Sequence, residues 1–208
     1  MNTIELNKLK KRILDISYPR KLSHIGSCLT ALPIIVEIYE KKRPDEKFVL
    51  SAGHAHLAHA VVMEHFKILK DAGSNIDKFG IHCEKDGGCD CSTGSLGQGL
   101  PIAIGMALAN KEKNVYCLVS DGEIAEGSIW ESIRIIHDQN ISNLKLYINW
   151  NGWGAYDQSS KWAYATLIGD PLIEWRMTKV EQFPFLKGQN AHYIAMSEEE
   201  YKEALKLL

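Results

Sequence analysis

The sequence has no dense block of lysine or arginine; 24 basic and 26 acidic residues leave a formal net charge of -2. A nucleic-acid-binding chain of 208 residues would ordinarily show a basic face, so no nucleic-acid partner is expected. No stretch reaches the roughly 18 to 20 apolar residues of a membrane span, so no membrane association is expected either. Met1 to Ile13 is charged throughout and lacks the uninterrupted apolar core of a signal peptide, which points to a cytoplasmic protein. The five cysteines are an odd number, and no disulfide framework is indicated. Internal repeats and low-complexity segments are also missing. The remainder is ordinary for a globular protein: 45% hydrophobic and 24% charged, with enough chain for one domain over 1–208 and a real core.

Several segments carry helical periodicity. Ile4 to Ile16 reads as a surface helix with Ile4, Leu9, Ile13 and Ile16 towards one face. Thr30 to Glu40 reads as a second helix with Thr30 at its N-cap, and His56 to Ala72 as a third. Gly80 to Ser92, rich in Gly, Cys and Asp, reads as a loop. Ser95 to Asn110 carries Leu100, Ile104, Met106 and Leu108 among small residues, which predicts a helix buried on most sides. Phe48 to Leu50 is a short apolar run entering Ser51-Ala52-Gly53-His54. Val180 to Leu186 is a candidate last strand. Ser197 to Leu208 has the pattern of a capped terminal helix.

The centre is clearer. Val115 to Val119 and Leu144 to Ile148 are nearly continuous apolar runs, suited to strands covered on both faces. Between them lies an amphipathic helix, Glu126 to Asp138. This is a βαβ unit, and the fold class expected is α/β, a parallel sheet flanked by helices. Ligands of such sheets sit at the carboxyl ends of the strands. Asp121-Gly122 ends the first strand and Asn149-Trp150-Asn151-Gly152 the second. If the strands are neighbours, a carboxylate, an amide oxygen and a backbone carbonyl converge into a hard-oxygen site. Magnesium fills the rest of its shell with water and phosphate oxygens, so a diphosphate ligand is suggested. Gly122 would let phosphate approach backbone N–H groups at the start of the next helical segment. Asp-Gly and Asn-Gly are also common turn pairs; their paired placement favours the site.

Four groups of residues carry a resemblance. Ser120-Asp121-Gly122-Glu123, with Glu126-Gly127, Trp130-Glu131 and Asn149 to Gly152, resembles the thiamine-diphosphate motif, which begins Gly-Asp-Gly and ends in Asn. Ser92-Thr93-Gly94-Ser95-Leu96-Gly97-Gln98-Gly99-Leu100 is similar to a signature stretch of transketolases. Phe48 to Ser51 with Gly53-His54-Ala55, and His24-Ile25-Gly26-Ser27, resemble two more of their elements. The motifs stand in the family's order across residues 24–152. The resemblance implies the thiamine-diphosphate-binding fold, diphosphate domain only, with a shortened part after about residue 157.

It also implies roles. Asp121, Asn151 and the Trp153 carbonyl would ligate Mg2+ or Ca2+, and Gly122 would contact the diphosphate. Asn151 would thus serve metal and cofactor together. His54 would lie near diphosphate and substrate, and His24 would face the substrate channel. Gly94 and Leu96 would approach the thiazolium side of the cofactor. His192 would match a late histidine near the diphosphate, and Glu126 and Glu131 acidic residues of the dimer interface. The first motif glycine is Ser120 here. The family's Gly-His-Pro before the signature loop becomes Gly80-Ile81-His82-Cys83, which leaves His82 to contact a substrate hydroxyl. His82, Cys83, Cys89 and Cys91 could instead bind zinc, but the usual structural spacing is absent, which favours metal-free loop cysteines.

In this family the cofactor is activated by a glutamate from a separate pyrimidine-binding domain, and nothing in residues 1–208 resembles that domain. The resemblance therefore implies the N-terminal subunit of a split transketolase, transferring a two-carbon ketol unit between sugar phosphates. It would be active only with a pyrimidine-domain (C-terminal transketolase) partner, in a homodimer or heterotetramer. The alternatives are another thiamine-diphosphate enzyme, such as a deoxyxylulose-phosphate synthase-like protein, or a degenerate cofactor- or partner-binding module. The Ser92 to Gly99 signature argues for transketolase over the other enzymes.

Overall fold

The computed structural model describes residues 1–208. Four strands, β1 (Lys47–Leu50), β2 (Val115–Ser120), β3 (Leu144–Trp150) and β4 (Ile173–Met177), form one sheet in the order β1-β2-β3-β4, every pair parallel. The helices are α1 (Thr3–Arg20), α2 (Ile25–Lys41), α3 (His56–His65), α4 (Ala72–Phe79), α5 (Gly99–Ala109), α6 (Gly127–Asp138), α7 (Lys161–Leu167) and α8 (Glu198–Lys206). No helix is long and apolar enough to cross a membrane.

Side chains alternate along each strand and so feed two separate cores. Phe48, Leu50, Tyr116, Leu118 and Tyr147 join a cluster of 36 buried residues with α1 to α4. Val49, Val115, Cys117, Val119, Leu146 and Ile148 join a cluster of 20 with α5, α6 and α7. Double coverage explains why β2 and β3 read as continuous apolar runs. Their register pairs Ser120 with Asn149, which sets the ends of the two strands level and brings the turns that follow side by side.

The helices differ from the sequence expectations in instructive ways. Ile4 lies on the solvent face of α1, 71% exposed, while Leu9, Ile13, Leu14 and Ile16 face the core. Thr30 is no cap: α2 begins at Ile25, and buried Thr30 gives its hydroxyl proton to the Ser27 carbonyl one turn back. His56 to Ala72 is not one helix. Lys67 takes a left-handed φ of 60° after α3, and Asp71 caps a new helix by accepting from the Ser74 amide. Val180 to Leu186 is not a strand; Val180, Phe183 and Leu186 are buried at a spacing of three in irregular chain. The last strand is instead β4, an edge whose Arg176 holds Glu37 of α2 by a bidentate pair at 2.6 and 2.8 Å. The terminal helix does carry a capping box, Ser197 with Glu200.

The composition of α5 predicts burial on most sides. Leu100, Ala103, Ile104 and Ala107 are buried, but Ile102 and Leu108 are 38% and 42% exposed, and a side chain at Gly105 would meet nothing. An exposed apolar stripe therefore runs along this helix. Trp162 of α7, 70% exposed, extends the apolar surface beside Trp130 of α6, with the rings 5.4 Å apart.

Candidate functional site

The carboxyl ends of β1, β2 and β3 open into a cleft of about 210 Å³. The position follows from topology, since loops that leave neighbouring parallel strands diverge and leave a crevice. Asp121 is the first residue after β2. Its Oδ2 accepts from the amides of Asn151 and Gly152 at 3.0 and 2.6 Å, and its Oδ1 accepts from Gly122 N at 3.1 Å. Asn151 Oδ1 accepts from Trp153 N at 3.0 Å. Asp121, Gly122, Asn151 and Trp153 all line the cleft. Burial pushes the Asp121 carboxyl up to about 6, against the pull of the Gly152 and Asn151 amides.

Another part of the lining is a wall of histidine. His24, His54, His82 and His192 line the same cleft with Gly94 and Leu96. His24 precedes α2 in a left-handed conformation, φ 62°, which turns its ring to within 5.1 Å of the His54 ring. Its amide donates to the His192 carbonyl at 2.5 Å, tying α2 to the segment near the C-terminus. Ser27 Oγ lies 2.6 Å from His192 Nδ1. Burial, reinforced by the neighbouring imidazoles, pushes His54 down to about 3 and His192 to about 4. His24 is lowered for the same reasons. His24, His54 and His192 thus present neutral imidazoles at neutral pH.

All the residues that sequence reasoning assigns to substrate, cofactor or metal are brought to this one cleft: His24, His54, His82, Gly94, Leu96, Asp121, Gly122, Asn151, Trp153 and His192. His192 is the instructive case, because it lies beyond the shortened segment that follows Asp157. The fold returns that segment to the cleft. Tyr193 OH and Gln189 Nε2 both donate to the Ala155 carbonyl, at 2.6 and 2.7 Å, and the Trp153 ring packs over Gly188.

Sequence reasoning assigns no role to Glu123. It is fully buried and accepts from Ser51 Oγ at 2.5 Å, Gly97 N at 3.0 Å and Ser120 N at 2.9 Å. One carboxylate thus joins the end of β1, the loop before α5 and the end of β2. Glu123 is the fourth residue of Ser120-Asp121-Gly122-Glu123, and its distance from Ser51 and Gly97 in the chain hides its partners. The glycines beside it are equally constrained: a Cβ on Gly99 would come within 2.5 Å of Ser51 Cα, and a Cβ on Gly53 would overlap the Thr93 carbonyl. Glu126 and Glu131 lie on the half-buried and exposed parts of the segment leading through α6, and Glu131 meets only Arg134, at 3.5 Å. The grouping of His82, Cys83, Cys89 and Cys91 does not form. His82 faces the cleft, while Cys83 and Cys89 are buried beside His56 and His59. Two histidines one turn apart in an apolar helix read as core, which hides them from a sequence search for ligands.

The cleft fits a diphosphate with a divalent cation. His24 Nδ1 and His192 Nε2 are buried without a hydrogen-bond partner in the protein, and unpaired buried polar atoms call for a ligand. Asp121 is the only carboxylate of the lining, and no lysine or arginine is present there. A diphosphate entering beside Asp121 would add negative charge with no basic side chain to offset it, so a cation is needed. Hard oxygen donors select Mg2+ or Ca2+. A Cβ on Gly122 would stand 3.3 Å from Gly154 Cα, so a side chain here would crowd this part of the crevice.

Known proteins share these features. The family described as "Transketolase, thiamine diphosphate binding domain" matches residues 20–153. The chain is 32% identical over 171 residues to "Transketolase-like protein 2" of Mus musculus, covering 71% of this chain and 27% of that protein. It is 30% identical over 173 residues to a protein of Phocaeicola vulgatus named as one subunit of an apulose-4-phosphate transketolase, covering 73% of this chain and 62% of that one. The chain therefore spans less than two thirds of either relative. Among solved structures, transketolase from Leishmania mexicana aligns over all of this chain and 41% of its own, with a TM-score of 0.80 and 17% identity. The Campylobacter jejuni transketolase aligns over 99% of this chain and 43% of its own, with a TM-score of 0.76 and 20% identity.

Proposed function

Because this chain belongs to the transketolase family, matching it through the thiamine-diphosphate-binding domain, we propose that it is the diphosphate-binding subunit of a split transketolase. The observation that carries the reading is the convergence of Asp121, Asn151 and Gly122 with four histidines in one cleft. In this reading Asp121, the Asn151 side chain and the Trp153 carbonyl would hold Mg2+ or Ca2+, whose charge would offset that of the diphosphate. His192 and His54, kept neutral by burial, present ring nitrogens to phosphate and substrate oxygens without adding charge. Thiamine diphosphate supplies the electron sink for a two-carbon carbanion. In this reading His24 and His82, which line the cleft, would contact the hydroxyls of a sugar phosphate. Gly94 and Leu96 cover the cofactor and exclude water from it.

The second half of the site belongs to a partner in this proposal. Asp121 is committed to loop amides and metal, and no other carboxylate lines the cleft to meet the cofactor's pyrimidine. A general acid or base must lie within hydrogen-bonding reach of the group it serves. We assign that glutamate to a pyrimidine-domain partner, in a homodimer or a heterotetramer, acting in the cytoplasm on ketose and aldose phosphates. The Phocaeicola relative carries the name of one subunit among several, which supports a divided enzyme.

The test is reconstitution. The purified chain alone should transfer no ketol group from xylulose 5-phosphate to an aldose phosphate, and a mixture with a matching pyrimidine-domain partner should. Robust transfer by the chain alone would refute the divided site. Cofactor binding by the mixture without turnover of any ketose donor would make the chain a degenerate binding module.

A further inference from the structure

Behind the histidine wall of the cleft, four side chains meet that the proposed reaction does not use. His56 and His59 lie one turn apart on α3, and Cys83 and Cys89 on the loop after α4. All four are buried, and their ligand atoms lie within 4.8 Å of one another. We propose that His56, His59, Cys83 and Cys89 form a structural zinc site, separate from the cation site of the cleft and independent of the ketol-transfer reading.

The four sulfur-to-nitrogen distances are close to those of a tetrahedron. With Zn–S of about 2.3 Å and Zn–N of about 2.0 to 2.1 Å, tetrahedral ligands stand about 3.5 to 3.6 Å apart from sulfur to nitrogen. Cys83 Sγ lies 3.6 Å from His56 Nδ1 and 4.0 Å from His59 Nδ1; Cys89 Sγ lies 3.6 and 3.7 Å from the same atoms. Each thiol has one proton to donate, yet each sulfur faces both imidazoles. One ion at the centre serves all four contacts, and a set of two thiolates and two imidazoles selects zinc over the harder cations.

The outer nitrogens are already engaged, as they are around most protein-bound zinc. His56 Nε2 lies 3.0 Å from Asn75 Oδ1, and Asn75 Nδ2 donates to the Gly87 carbonyl at 2.8 Å. That second bond fixes the amide's orientation, so Asn75 Oδ1 must accept and His56 Nε2 must carry the proton. His56 Nδ1 is therefore the lone-pair nitrogen, aimed at the sulfurs. His59 Nε2 lies 2.7 Å from Tyr39 OH. The four protein ligands leave no open position, which is the form of structural rather than catalytic zinc.

The ion would fasten the loop from Gly80 to Ser92 onto α3. Cys83 follows His82 in the chain and pairs with Thr93, the residue before Gly94. His82 and Gly94 both line the cleft. Zinc thus anchors one wall of the cleft from behind.

Elemental analysis of the full chain, purified under reducing conditions without chelator, should find one zinc per chain. Cys83→Ser and Cys89→Ser should lose it, whereas Cys91→Ser and Asp121→Ala should keep it. If the cysteine variants do not fold, cobalt(II) exchanged into the wild-type chain should give thiolate charge-transfer absorption and tetrahedral d–d bands. A folded wild-type chain that takes up neither zinc nor cobalt would overturn the proposal. So would a Cys83–Cys89 disulfide in the freshly purified protein, or zinc lost with Asp121→Ala and kept with Cys83→Ser.

Discussion

The two faces of the sheet are finished to different degrees. On the α1 to α4 side, α2 buries twelve of its residues, Ile25, Leu29, Leu32, Ile35 and Ile38 among them. On the other side α5 is as apolar in sequence, yet Ile102 and Leu108 face outwards and Trp162 stands clear of the surface. Apolar patches of this kind usually mark interaction surfaces. One hydrophobic helix closes the chain's own core; the other keeps an apolar stripe exposed, where the proposed assembly contact would form. The cleft lies at the rim where both faces end.

The largest effect is expected at that rim. Asp121→Ala should abolish metal-dependent binding of thiamine diphosphate, measured by calorimetry, because it removes the only carboxylate of the proposed cation site. The fold should survive. Unchanged affinity in a folded variant would remove Asp121 from the metal.

On the closed face, Leu32→Ala should lower unfolding free energy in urea by about 2 to 5 kcal/mol, the usual range for a large buried aliphatic side chain. A loss below about 1 kcal/mol would mean that this core is no better packed than the open side.

A smaller effect depends on pH. His54 and His192 are held near 3 and 4 in the folded chain and return to about 6.5 when unfolded. Below about pH 6.5 the unfolded chain takes up protons that the native site refuses, so stability is full above that pH and falls as pH drops towards 4. Each histidine steepens the decline by up to about 1.4 kcal/mol per pH unit. His54→Gln should flatten the dependence of urea midpoints between pH 6.5 and 4.5. An unchanged slope would show that His54 titrates normally.

The smallest effect on stability is expected on the open face. Leu108→Ser should change the unfolding free energy by less than about 0.5 kcal/mol, yet weaken self-association or pairing with a pyrimidine-domain partner in light scattering. A stable monomer in the wild type, both by itself and with such a partner, would take away the reason for the exposed stripe.

The same contrast governs what is legible in the sequence. β2 and β3 are readable because strands covered on both faces leave uninterrupted apolar runs, and their turns display Asp121 and Asn151. β4 is not, because an edge strand carrying Glu174 and Arg176 does not look like the interior ones; Val180, Phe183 and Leu186 supply a more apolar decoy. Apolar composition predicts that α5 is covered on most sides, whereas Ile102 and Leu108 are exposed in this chain. The cleft residues are found through motifs. Glu123 and the pairing of His56 and His59 with Cys83 and Cys89 are not, since their meaning lies in contacts 24 or more residues apart. Two histidines at i and i+3 on an apolar helix, with cysteines downstream, are the available signal.

Glu123 has a consequence for motion. Its two oxygens receive Ser51, Gly97 and Ser120 from three segments, and a buried carboxylate stripped of one donor carries an unmet charge. Loosening any one segment therefore weakens the hold on the other two. The mouth of the cleft should open as a single cooperative unit, with the amides of Gly97 and Ser120 exchanging with solvent at one shared rate.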